Sequence, residues 1–161
     1  MTYTNIRVIL AYKGQLQLTN MEEKIYYDPY EFNFSYRQYS VESLFNQNQL
    51  ILGECKWSNK KCSLFIESIL IRIPLEFFYL DRTLGHYRVI SGSNRLHAIK
   101  RVVFESYKLQ GLEFLTELNG LTFQQISRKY QRRVLEANLN VHIMEPGTPL
   151  YIVKNISKRI K

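Results

Sequence analysis

Apolar and polar residues alternate from the start of the chain. Ile6, Val8, Leu10 and Tyr12 form one alternating run, Lys13-Gly14 offers a turn, and Leu16 and Leu18 resume the pattern. Period-two patterning interrupted by a turn predicts a β-hairpin. Tyr30, Phe32, Phe34 and Tyr36 then alternate with Glu31, Asn33, Ser35 and Arg37, which predicts a strand carrying an aromatic stripe. A stripe of this kind can stack nucleic-acid bases. Its commoner place is the core, and the core is the reading adopted here.

Beyond residue 40 the pattern turns helical. Ser40 can cap a short helix running to about Gln49 that buries Val41, Leu44 and Phe45. Leu50-Ile51-Leu52 reads as a short strand. Ser58 is an N-cap for a helix over 59–72, where Leu64, Phe65, Ile66, Ile69 and Leu70 recur at helical spacing and Pro74 stops the run. Phe77-Phe78-Tyr79-Leu80 and Tyr87-Arg88-Val89-Ile90 read as paired strands around the turn Thr83-Leu84-Gly85, followed by a helix from about Ser93 to Ser106. Thr122-Phe123-Gln124-Gln125 has the form of a capping box opening a helix, with 128–137 continuing helical. Leu139 to Met144 is a strand, and Pro149 opens a last helix. The expected architecture is an α+β domain with a small mixed sheet and packed helices. A β-rich extension is expected over 1–39 and the domain itself over 40–161.

Composition narrows the class. Of 161 residues, 45% are hydrophobic, enough for a core and against global disorder. No apolar run approaches the roughly 20 residues that span a bilayer, and no signal-peptide pattern opens the sequence. The expectation is a cytoplasmic protein with no membrane partner. Cys55 and Cys62 have neither zinc-knuckle nor thioredoxin spacing, and His86, His97 and His142 are scattered. Two reduced thiols and no metal site are expected. The net charge of +8 is uneven: residues 1–99 hold 11 Lys and Arg against 9 Asp and Glu, whereas residues 100–161 hold 11 against 5. A basic C-terminal third suits a polyanion such as nucleic acid, or a solvated basic surface.

Chemistry is most concentrated in Tyr87-Arg88-Val89-Ile90-Ser91-Gly92-Ser93-Asn94-Arg95-Leu96. A strand stops at a glycine and a helix starts on small polar residues. The first turn of such a helix offers unpaired N–H groups and the positive end of the helix dipole. Gly92 permits close approach to the backbone, and Arg95 can grip a phosphate. With Ser93 and Asn94 these make a candidate anion site, although a capped helix with a surface arginine looks the same in sequence. Two further sets are basic. Arg128, Lys129, Arg132 and Arg133 share a helix face, as do Lys154, Lys158 and Arg159. Both faces suit DNA phosphates or solvent.

Ile66-Glu67-Ser68-Ile69-Leu70, Ile73-Pro74, Phe78-Tyr79-Leu80 and Val89-Ile90-Ser91-Gly92-Ser93-Asn94-Arg95-Leu96 together resemble the signature of the N-terminal domain of GmrSD-type restriction proteins, within the ParB/sulfiredoxin-like superfamily. Leu118-Asn119-Gly120-Leu121-Thr122-Phe123, Gln131-Arg132-Arg133-Val134-Leu135, Met144-Glu145-Pro146-Gly147-Thr148-Pro149 and Lys158-Arg159-Ile160 extend the resemblance, which covers about residues 40–161. It implies a ParB-like α+β fold and a role in restricting foreign DNA. It also implies a nucleoside triphosphate with magnesium as cofactor, hydrolysed in step with DNA cleavage, and DNA and a separate nuclease or defence chain as partners. The family's hallmark is Asp-Gly-Gln-Gln-Arg. Here it reads Ser91-Gly92-Ser93-Asn94-Arg95, so the glycine and arginine carry over but the acid and both glutamines do not. Serine cannot hold a cation or take a proton as a carboxylate does. The family's Phe-Gln-Arg element is also missing before Trp57, and its closing Arg-Ile-Asn reads Arg159-Ile160-Lys161. No second nuclease domain is expected.

The resemblance places any catalysis at Ser91 and Arg95, with Glu67 as the alternative carboxylate. The expected function is a defence-associated nucleotide- or nucleic-acid-binding domain with weakened or lost hydrolysis. Two rivals are an active NTP-dependent nuclease component working with a partner chain and a non-catalytic interaction or regulatory module.

Overall fold

The computed structural model describes residues 32–47 and 50–160. The hairpin expected over residues 6–18 lies outside them. Five strands form one mixed sheet: β1 (Phe34–Ser40), β2 (Leu50–Ile51), β3 (Phe78–Asp81), β4 (Tyr87–Ser91) and β5 (Asn138–Met144), in the order β1-β5-β3-β4-β2. β1 runs antiparallel to β5, β5 parallel to β3, β3 antiparallel to β4, and β4 parallel to β2. The helices are α1 (Val41–Phe45), α2 (Asn59–Leu70), α3 (Ser93–Ile99), α4 (Arg128–Leu135) and α5 (Leu150–Arg159). The expected α+β class with a mixed sheet and packed helices is the observed one.

Local chemistry explains most boundaries. The Ser40 hydroxyl accepts from the Ser43 N–H at 3.1 Å and starts α1; the Ser58 hydroxyl does the same for Lys61 at 3.3 Å and starts α2. α2 ends before Pro74, because Arg72 adopts a left-handed φ of 65° and breaks the hydrogen-bond ladder. α3 continues into a π-helical turn, Lys100–Phe104. The capping box forms, with the Thr122 N–H donating to Gln125 Oε1 at 2.9 Å, but it closes a single turn. α4 begins separately after Ser127.

One sheet face is the core. Val141 and Ile143 of β5, Phe78 and Leu80 of β3 and Val89 of β4 pack with Ile66 and Leu70 of α2 and Leu96 and Ile99 of α3. Residues 34–39, which the sequence reading places in an extension, pair with β5 in the same sheet. Phe34 and Tyr36 of the aromatic stripe are not core: they are 39% and 56% exposed. Alternation identified two faces but not which one is buried. The core face of this edge strand carries Ser35, Arg37 and Tyr39, and its polar groups meet Glu145: Ser35 Oγ donates to that carboxylate at 2.6 Å and Arg37 lies 3.6 Å from it.

Candidate functional site

β3 and β4 pair antiparallel, and Gly92 follows at the start of α3, as the strand–turn–helix reading requires. Gly92 has φ of 97°, and a Cβ there would lie 2.4 Å from the ring of Phe78, a fully buried residue. Both facts demand glycine. Arg95 reaches back over the same ring, 4.4 Å from its centroid. Its guanidinium donates to the Glu76 carbonyl at 2.7 Å and the Phe77 carbonyl at 3.0 Å, with the Glu76 carboxylate at 3.7 Å. Its side chain is only 12% exposed. Burial pushes its pKa down and the Glu76 carboxylate works in the opposite direction.

Asn94 and His97 are also committed. Asn94 Oδ1 accepts the Lys56 N–H at 2.7 Å, and the His97 ring meets the Gly53 carbonyl, so α3 holds the loop between β2 and α2. Ser93 Oγ is buried without a partner. Ser91 ends β4 opposite Tyr79. An open hollow of about 580 Å³ remains here, lined by residues 89–95 together with Gly53, Glu54, Lys56 and Trp57. Glu54 is an acid that the sequence reading passed over, since only the fold brings its loop to the turn.

Glu67 is elsewhere. It is 3% exposed on α2, and its carboxylate accepts the N–H groups of Glu113, Phe114 and Leu115 at 2.7 to 3.1 Å. Burial pushes its pKa up, but the three amides outweigh burial and hold it below the ordinary carboxylate value. It is an anchor for the 113–115 loop. Among the described residues no three His, Cys, Asp or Glu side chains gather to hold a metal. Both cysteines are free, and burial first, then neighbouring Cys55, pushes the Cys62 thiol up. At the turn the arginine and asparagine are spent on backbone groups and a hydroxyl stands at residue 91, which leaves Glu54 as the one carboxylate lining the hollow.

The basic residues group more tightly than their sequence spacing showed. Arg128, Lys129, Arg132 and Arg133 line one hollow of about 520 Å³, joined by Arg72 from the end of α2 and by Glu136. Arg72 was not legible as part of this set, because chain reversal after α2 brings it there. Within the set, Arg132 pairs with Glu136 at 3.0 Å and Arg133 donates to the Leu70 carbonyl at 3.1 Å. Arg128 and Lys129 are exposed. Lys154 and Lys158 line a different hollow, on α5, beside Arg88. Arg88 is itself paired with buried Asp81.

Comparison of the chain with protein-family models, curated proteins and solved structures finds no match in any of the three. No helix among the described residues is long and apolar enough to cross a membrane.

Proposed function

We propose that this chain is a nucleic-acid-binding domain of ParB-like type, serving in the cytoplasm in defence against foreign DNA, in which the phosphate-binding turn has become a structural joint and nucleotide hydrolysis is lost. The observation that carries the reading is the ring of Arg72, Arg128, Lys129, Arg132 and Arg133 around one hollow, with Glu136 the single acid among them. A concave basic surface concentrates field and attracts phosphates. The structural use of Gly92, Asn94 and Arg95 supports loss of hydrolysis. Any DNA cleavage then falls to a separate nuclease chain.

The test is binding of labelled DNA across a salt series. Three freely facing cations (Arg72, Arg128 and Lys129) give a slope of log K against log salt of about −3. Arg128→Glu with Lys129→Glu should flatten that slope and weaken binding with the fold intact. Absence of binding at low salt, or binding indifferent to these charges, would remove nucleic acid from this surface.

A further inference from the structure

Resting on that reading, we propose that the partner is a single strand, whose bases stack on an exposed aromatic patch of the sheet while its phosphates follow the basic hollow. The juxtaposition that carries this is a cluster of rings beside the cations. Tyr36 of β1, His142 of β5, Tyr79 of β3 and Phe77 just before β3 meet on the sheet face opposite the core. The rings of Phe77, Tyr79 and Tyr36 lie 5.0, 5.3 and 5.5 Å from that of His142. Tyr36 and Phe77 are 56% and 46% exposed. Large rings at an exposed sheet surface leave water in contact with apolar area that a planar partner can cover.

Asn140 links the rings to the cations. A hollow of about 460 Å³ has Arg72 and Arg133 among its lining residues, together with Asn138 and Asn140 of β5. Asn140 Oδ1 accepts the Tyr36 hydroxyl at 2.7 Å and Gln38 Nε2 at 3.2 Å. Arg72 and Arg133 also line the basic hollow of α4. A chain entering over α4 therefore meets cations, then amides, then aromatic faces. Cations complement phosphate, and rings complement bases that are not already stacked on each other. Base-on-ring stacking needs unpaired bases and tolerates any sequence, which is the logic of single-strand platforms. A duplex hides its base faces and can use only the cations. The chemistry is common to single-stranded DNA and RNA.

The experiment uses the full chain and labelled oligonucleotides of about 15 nucleotides, the upper range of one small platform: single-stranded DNA, the same sequence as RNA, and the DNA duplex. Each of Tyr36→Ala and Phe77→Ala should weaken single-strand binding about tenfold and leave duplex binding within about twofold. Tyr36→Phe and Phe77→Tyr should keep it, which separates stacking from a loss of fold. Relative affinity for the DNA and RNA strands identifies the source. Single-strand and duplex binding that are equal and indifferent to the aromatic variants would overturn this inference and leave the basic surface standing. Failure of all three probes at low salt would overturn both. Aromatic variants that change the mass in solution but not single-strand binding would make the face a contact between copies of this chain, against the proposal.

Discussion

The Arg95 guanidinium spans the Glu76 and Phe77 carbonyls from inside the fold, and this determines what its removal does. Arg95→Ala would leave two carbonyls beside β3 without donors and an uncovered Phe78 ring. Charge-assisted hydrogen bonds contribute about 1.5–3 kcal/mol each, so losing two gives an expected stability loss of about 3–6 kcal/mol by chemical denaturation. Arg95→Lys should recover part of it, since a single ammonium cannot match both carbonyls as a planar fork does. An unchanged unfolding midpoint would mean that Arg95 is not a strut. Glu67 makes the second residue-scale case. Its folded pKa is lowered, so its contribution is present above the unfolded value near 4.5 and is lost as pH falls through the folded one. Asp81, lowered by Thr83 and Arg88 against the pull of burial, acts in the same direction. Stability should therefore fall on acidification below about pH 5, and Glu67→Gln should be less stable at neutral pH with a shallower acid limb. A variant with the unaltered pH profile would contradict the anchor role. At this scale the sequence displayed the residues but not the intramolecular contacts they make. Gly92 and Arg95 stand out as a pair, but their packing on Phe78 depends on a neighbouring strand that the local motif does not contain.

At the scale of elements, periodicity located nearly every strand and helix, because one buried stripe per element is enough to read period and length. It misjudged the joints between them. Arg72 ends α2 by its backbone conformation, and nothing in Ile71-Arg72-Ile73 announces a left-handed residue. The Thr122–Gln125 box satisfies the same donors in one turn as at the head of a long helix, so the motif does not set the length of the helix it opens. β1 reverses the usual sense of burial because its core-side polar groups are matched by Glu145, 110 residues along the chain from Ser35 and beyond any local cue. α4 supplies the prediction here. Its cations divide into one that holds structure, one paired with Glu136 on the surface and two that face solvent unpaired. Arg133→Ala removes the donor to Leu70 at the end of α2 and should cost about 1–3 kcal/mol of stability. Arg128→Glu with Lys129→Glu should leave the melting temperature within about 2 °C, as surface substitutions do, while weakening nucleic-acid binding. The split between melting temperature and affinity checks the division, and equal melting losses for both variants would refute it.

For the molecule as a whole, binding and turnover should come apart. The cations that would hold a polyanion belong to α2 and α4, whereas the turn that would process a nucleotide lies between β4 and α3. The side chains of the turn are already engaged: Arg95 and Asn94 are bonded to the chain itself, and residue 91 carries no charge. Adding one carboxylate does not release the arginine. Neither the unaltered chain nor Ser91→Asp should hydrolyse a nucleoside triphosphate above background with magnesium, with or without DNA, while both bind DNA with the same salt dependence. Phosphate release measured beside anisotropy on the same preparation tests both halves. The decisive contrary result is turnover by the unaltered chain that falls on Ser91→Ala or Glu54→Gln, two changes at the 580 Å³ hollow that spare the Arg95 strut. That outcome would return catalysis to the strand–helix turn, with Glu54 as the acid that Ser91 cannot be.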